Sequence, residues 1–226
     1  MVSDKVKISI VILNYNRKEL LPRAIRSAQN QVTLGFTTEI FVLDDASTDG
    51  SQELLQSGIY RVRCAFNEVN LGVGASSRLA VDSIESDYFL RLDSDDYLSP
   101  IATLTLFAAL ENSPDYSYAY ADHFRIDDSE KRMEKVCIST FDDLIKHGAG
   151  VLFRTESVRL AGSYSDTLRH GEDADLLFRM RSIGLKGVHV PIPLYRYHIH
   201  GGNISLQPNQ KQSQEEIRRK YQNGNQ

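Results

Sequence analysis

Cysteine is nearly missing from the 226-residue chain, and the two present, Cys64 and Cys137, stand far apart. Neither belongs to a C-x-x-C pair or a metal-ligand spacing. This excludes a disulfide framework and a cysteine zinc site, and suits a reducing compartment. Long apolar runs are also absent. The N-terminal run Ile8–Leu13 has only six residues, too short for a signal segment or a membrane span, and no later stretch approaches the roughly 18 apolar residues a spanning helix needs. Positive charge is not in excess: 26 Lys+Arg against 30 Asp+Glu leave a net charge of −4, which argues against a nucleic-acid surface. There is no internal repeat, and the only biased tract is the polar end Gln207–Gln226. Two phosphate-cradling signatures are missing as well. Gly72-Val73-Gly74 lacks the G-x-G-x-x-G spacing and its downstream acidic residue, and no G-K-[ST] occurs.

What is present is a core and a rhythm. The hydrophobic fraction of 41% is ordinary for a globular chain, and the length suits one large α/β domain or two small ones. Ile8–Leu13 is expected as a buried first strand. Asn16 and Glu19 resemble a capping box, and Leu20, Leu21, Ala24, Ile25 and Ala28 share a helical face. Pro22 conflicts with an unbroken helix from Arg17, so a short turn is expected first, with Pro22 in the opening turn. Further strands are expected at Ile40–Leu43, Tyr60–Phe66 and Tyr88–Leu92. Helices are expected at Gln52–Gln56, Ala75–Ile84 and Ile101–Leu110, the last capped by Ser99 with Pro100 first. Strand alternating with helix signals an α/β fold with a parallel sheet and right-handed crossovers.

The second half is less regular. Tyr116–Tyr120 and Val151–Phe153 read as strands, and Arg125–Val136 as a hairpin or an irregular excursion. Asp173–Ile183 reads as a helix stopped by Gly184. Val188–Val190 and Leu194–Tyr197 read as short strands separated by Pro191 and Pro193. Tyr116, Tyr118 and Tyr120 read as one face of a strand rather than a sugar platform. The polar end reads as a solvated helix or disorder.

Polar clusters follow three of the expected strands: Asn14–Asn16, Asp44–Asp45 and Asp93–Asp96. In open α/β sheets ligands bind beyond the carboxyl ends of strands. Three carboxylates within Asp93-Ser94-Asp95-Asp96 repel unless water, backbone N–H groups or a cation neutralise them. A D-x-D there is a candidate site for a hard divalent cation, and so for a phosphate-bearing ligand, although Asp is also a common turn residue. Asp45 can accept from a base N–H, Asp93 can meet a ribose hydroxyl, and Asp95 can hold a metal on a diphosphate. Arg78, one turn into its helix, can face a phosphate.

Taken together, IVILNYNR, LDDASTDGS, NLGVGASSR, LRLDSDDYL, GEDADLLFRM and YRYHIHGGNIS resemble the family 2 glycosyltransferases. These motifs span Ile8 to Ser205. The resemblance implies a GT-A fold: a Rossmann-like, mostly parallel sheet flanked by helices, with a mixed α+β acceptor-side half. It places a nucleotide-binding half at 1–98, an acceptor and catalytic half at 99–206 and a tail at 207–226. It implies a nucleoside-diphosphate-sugar donor, here a UDP-sugar, a Mn²⁺ or Mg²⁺ cofactor, and transfer with inversion to a saccharide or lipid-linked acceptor in cell-surface polysaccharide or glycolipid synthesis. It further implies a cytoplasmic chain, with peripheral association at the inner membrane face allowed.

Residue by residue, the resemblance implies that Leu13 and Tyr15 contact the nucleoside, Asp45 reads the base, and Arg78, Asp93 and Ser94 serve the nucleotide sugar. Asp95 is implied as the direct metal ligand, completed by His200 with His198 as a rival. Glu172 is implied on the acceptor side and Asp173 as general base. An N-terminal helix position would favour the charged form of Asp173. The alternative reading is a non-catalytic nucleotide-binding module within a larger assembly.

Overall fold

The computed structural model describes residues 5–129, 131–203 and 208–223; Ser205, the last motif residue, lies outside them. The first half alternates as expected: β1 (Val6–Asn14), α1 (Leu21–Gln29), β2 (Phe36–Asp44), α2 (Ser51–Gln56), β3 (Arg63–Phe66), α3 (Val73–Asp82) and β4 (Tyr88–Asp93). The remainder contributes β5 (Tyr97–Leu98), α4 (Ala102–Glu111), β6 (Tyr118–Ile126), β7 (Arg132–Val136), α5 (Phe141–Leu144), β8 (Leu152–Arg154), α6 (Thr155–Leu160), α7 (Glu172–Ser182), β9 (Gly187–His198) and α8 (Pro208–Asn223).

A single mixed sheet runs β3-β2-β1-β4-β8-β6-β9-β5, with β7 hairpinned onto β6. The β3-β2-β1-β4 portion is parallel, and β8 lies antiparallel between β4 and β6. β1 is central and covered on both faces, so it reads as a continuous apolar run. Ile8, Ile10 and Ile12 are fully buried against α1 and α4, while Val11 packs with Ala80 and Val81 of α3 and Leu176, Leu177 and Met180 of α7. Each such side chain contributes about 2–3 kcal/mol of transfer free energy. Among the described residues no helix is long and apolar enough to cross a membrane.

Four local expectations are revised. Asn16 does not cap α1. Its backbone is left-handed (φ 52°), and its side chain accepts from the N–H of Thr48 at 2.8 Å, tying two loops together. A turn on Arg17 precedes the helix, and Pro22 sits in the first turn, where its missing N–H is harmless. β2 begins at Phe36 rather than Ile40, because Thr37–Glu39 keep the backbone ladder to β1 although their side chains are partly exposed. β9 is one strand through Pro191 and Pro193. Its register with β6 jumps from Ala121↔Val190 to Asp122↔Pro193, a bulge that absorbs residues unable to donate. The polar end forms a docked helix: Ile217 of α8 is 7% exposed, and Tyr221 stacks on Phe178 of α7 with centroids 5.1 Å apart.

Candidate active site

Parallel pairing puts the polar clusters on one edge. Asn14 stands beside Asp44 and Leu13 beside Asp93 in the ladder. Above that edge is a cavity of about 610 Å³, lined by Leu13, Tyr15, Asp45, Asp93, Ser94 and Asp95 and, from the second half, by Glu172 and Asp173. Residues more than 150 positions apart thus meet because α7 starts over the end of β4.

The paired Asp44 and Asp45 do different jobs. Asp44 is fully buried and accepts from Asn14 Nδ2 at 2.7 Å, the Ser47 N–H at 2.8 Å and Gln52 Nε2 at 3.0 Å, so it holds the loop. Asp45 reaches the cavity wall. It accepts from Asn67 Nδ2 and from the N–H groups of Leu71 and Gly72 at 2.8–2.9 Å, which folds the Asn70–Gly74 turn against the site. That turn has its own steric reason. Gly72 is left-handed (φ 87°), and a Cβ on Gly74 would lie 2.2 Å from the Leu168 carbonyl oxygen. These glycines serve close packing rather than a dinucleotide cradle.

The three carboxylates at the end of β4 meet different partners, while burial and their neighbouring carboxylates raise the pKa of Asp93 and of Asp96. Asp96 is buried and accepts from the Tyr195 hydroxyl at 2.6 Å and the His198 N–H at 2.7 Å, which makes it a structural lock between β5 and β9. Asp95 Oδ2 lies 3.0 Å from His200 Nε2 and 3.5 Å from Arg17 Nε. Asp93 Oδ1 lies 3.6 Å from Arg91 Nε. Burial pushes the Asp93 carboxyl up to about 6, with Arg91 opposing and Asp95 and Glu172 adding to the rise.

Arg91 organises the floor. It is 4% exposed, in the middle of an otherwise apolar strand. Its Nη1 donates to Glu172 Oε1 at 2.8 Å and its Nη2 to Asp173 Oδ2 at 2.6 Å. Glu172 and Asp173 open α7 after the left-handed Gly171, where the helix dipole favours negative charge. Burial outweighs that dipole. It drives the Asp173 carboxyl well above the usual carboxylate range, with the Arg91 guanidinium pulling the other way and Glu172 and Asp93 adding to the rise. The other Asp173 oxygen, Oδ1, is buried with no hydrogen-bond partner among the described residues. Gly148 abuts the same carboxylate, since a Cβ there would lie 2.1 Å from Asp173 Cβ and Cγ.

Of the two candidate histidines, His200 meets Asp95, whereas His198 is buried with Nε2 3.1 Å from Asp128. Among the described residues no group of three or more His, Cys, Asp or Glu side chains is arranged to hold a metal ion. The Asp95 oxygen and His200 nitrogen are of the donor types that suit a divalent cation.

Arg78 lies elsewhere. Ser76 of α3 faces the cavity, and two residues on is roughly 200° around a helix. Arg78 donates to the carbonyls of Gly162 and Tyr164 at 3.3 and 3.2 Å and pairs with Asp82 at 3.8 Å. Arg91 and Arg17 escape the sequence reading. Arg91 alone leaves a signal there, a charge inside a buried strand, which demands a buried partner.

The model of "Glycosyl transferase family 2" matches residues 9–163. The chain belongs to the family 2 glycosyltransferases. The match covers the first three polar clusters and stops short of Glu172, Asp173 and His200. The E. coli chondroitin synthase is 24% identical to this glycosyltransferase chain over 208 residues, 88% of the chain but 30% of the synthase. The chain therefore spans about a third of that relative's length. S. aureus TarS 1–349, solved in complex with UDP-GlcNAc, superposes with a TM-score of 0.78 at 17% identity, over 96% of this chain and 65% of that one. The mannosyltransferase PcManGT from Pyrobaculum calidifontis, in complex with GDP-Man and Mn²⁺, gives 0.71 at 12% identity over 89% and 59%. The likeness carries the architecture, which is that of the GT-A glycosyltransferases.

Proposed function

We propose that this chain transfers a sugar from a nucleoside-diphosphate sugar, with UDP as the nucleotide, to an acceptor hydroxyl with inversion at the anomeric carbon. The acceptor belongs to a cell-surface polysaccharide or glycolipid, presented on the cytoplasmic side. The carrying observation is the Asp173 carboxylate, one oxygen held by Arg91 at 2.6 Å and the other buried without a partner at the same cavity as Asp93 and Asp95. The UDP-GlcNAc complex of TarS supports the choice of nucleotide by likeness of fold.

In this reading Leu13 and Tyr15 flank the nucleoside and Asp45 accepts from the base. Asp93 and Ser94 meet the ribose and sugar, and Arg17 lies against the diphosphate. Asp95 and His200 would hold Mn²⁺ or Mg²⁺, which when bound neutralises charge on the departing diphosphate. Asp173 Oδ1 takes the acceptor hydroxyl proton as that oxygen's electron pair forms the new bond to the anomeric carbon. The old carbon–oxygen bond breaks on the opposite face, and its electron pair leaves with the nucleoside diphosphate. A single base and no covalent intermediate suffice for inversion. Burial raises the proton affinity of Asp173, with the Arg91 guanidinium pulling the other way.

The test is a panel of nucleotide sugars with Mn²⁺, reading nucleoside diphosphate release in wild type and Asp95→Ala. Release from one donor that stops with chelator and in the variant is the expected result. Absence of both release and nucleotide binding with metal present would overturn the reading. Binding without release, even with acceptor saccharides added, would favour the non-catalytic module.

A further inference from the structure

The helix start that carries Asp173 is held from two sides. Glu172, Asp173 and Asp175 all lie in the first turn of α7, and three carboxylates so close repel one another. Arg91 pairs with Glu172 and Asp173 from the sheet. From the other side comes α8. Tyr221 donates its hydroxyl to Asp175 Oδ1 at 2.9 Å, and Lys220 Nζ lies 3.6 Å from the same oxygen. Asp175 is 4% exposed, so this contact sits inside the packed protein.

The closest meeting of the two helices falls on Gly171, the residue before Glu172. Its backbone is left-handed (φ 75°), and a Cβ there would lie 2.6 Å from Ile217 Cδ1 of α8. Glycine is therefore required twice, for the turn and for the contact. One residue further along α8, Arg218 Nη2 donates to Asp142 Oδ2 of α5 at 2.6 Å. The segment after α5 leads within six residues to Gly148, which abuts the Asp173 carboxylate. Neighbouring side chains of α8 thus fasten both pieces of backbone that close on Asp173. A cleft of about 520 Å³, lined by Arg78, Tyr164, Asp175, Arg179, Ile217 and Lys220, opens beside the contact. The helix is fastened at a few points, so each point counts.

We propose that α8 is a clamp on the proposed base, with Ile217 and Arg218 as positioning residues: Ile217 fixes Asp173 through Gly171, and Arg218 fixes Gly148 through α5. Neither touches the donor cavity or the reacting atoms. The inference rests on the transferase reading for the role of Asp173 and extends it to a helix whose polar sequence reads as a solvated tail.

The test is hydrogen exchange of the whole chain, read by mass spectrometry for wild type, Ile217→Ala, Ile217→Leu and Arg218→Ala. Turnover and calorimetric UDP binding with Mn²⁺ are measured beside it. Ile217→Ala should speed exchange over Gly171–Leu176 about tenfold and leave β1 and β4 as in wild type. It should lower kcat about tenfold or more, because the base is displaced, with UDP affinity within twofold. Ile217→Leu, which keeps the apolar contact, should restore both. Arg218→Ala, at a half-exposed position, should speed exchange over Phe141–Gly148 and lower kcat about threefold, the scale of a partly exposed ion pair. Unchanged exchange over Gly171–Leu176 in Ile217→Ala, or an equal rise throughout the chain, would overturn the clamp. Exchange needs no substrate. A chain that exchanges as expected yet releases no nucleoside diphosphate from any donor would remove the transferase reading and leave the clamp on α7 standing.

Discussion

Arg91 Nη2 lies 2.6 Å from Asp173 Oδ2, with both side chains in the cavity floor. The contact joins the strand that delivers the acidic cluster to the helix that delivers the proposed base. The guanidinium lowers the base's pKa against burial and the neighbouring carboxylates, so its loss raises that pKa. In Arg91→Gln the acid limb of the rate profile should move up by about one pH unit or more, and the protein should lose about 3 kcal/mol, as expected when a buried ion pair is broken. A pH–rate profile together with urea unfolding checks both. An unmoved acid limb would mean that Arg91 is only structural.

Gly148 leaves room for the carboxylate it touches. A methyl group there would occupy the space of Asp173 Cβ and Cγ and displace the base by about 1 Å. Gly148→Ala should lower kcat by about a hundredfold, the scale of a 1 Å misplacement, with UDP affinity preserved. Steady-state kinetics beside calorimetric UDP binding separates the two quantities.

Arg78 provides a test in the other direction. Its guanidinium is engaged with Gly162, Tyr164 and Asp82, away from the cavity. Arg78→Ala should leave UDP affinity within about twofold of wild type, because lost surface contacts of this kind are worth under about 1 kcal/mol. A tenfold or larger weakening in calorimetry would mean that the arginine swings into the donor site.

His123 makes stability depend on pH. Its imidazole titrates near 6.5 when free but is pushed down to about 3 in the fold by burial. Above pH 6.5 it is neutral in both states and costs nothing. As pH falls from 6.5 toward 3 the unfolded chain binds the extra proton and folding loses ground, roughly 2 kcal/mol by pH 5. Urea denaturation at pH 7 and pH 5 measures this loss together with a similar one from His147, which burial pushes down to about 4, and His123→Phe, which keeps a ring but no titrating nitrogen, should remove about half of the slope the two imidazoles share.

The order of elements was legible in the sequence because it depends on local chemistry: apolar runs for covered strands, a helical stripe over Leu21–Ala28, a proline in an opening turn, and glycines at stops. Placement of Leu13, Asp45, Asp93 and Asp95 on one edge followed as well, since parallel strands necessarily end together. Only the tertiary structure decided what crosses between distant segments. It put His200 rather than His198 on Asp95, turned Arg78 away through a two-residue helical offset, ran β9 unbroken through two prolines by a bulge, and gave Arg91 and Gly148 to Asp173. Those partners lie roughly 25 to 100 residues apart in the chain, and no periodicity links them. They meet because packing helices over both faces of one twisted sheet leaves a single place for each buried charge to find its opposite.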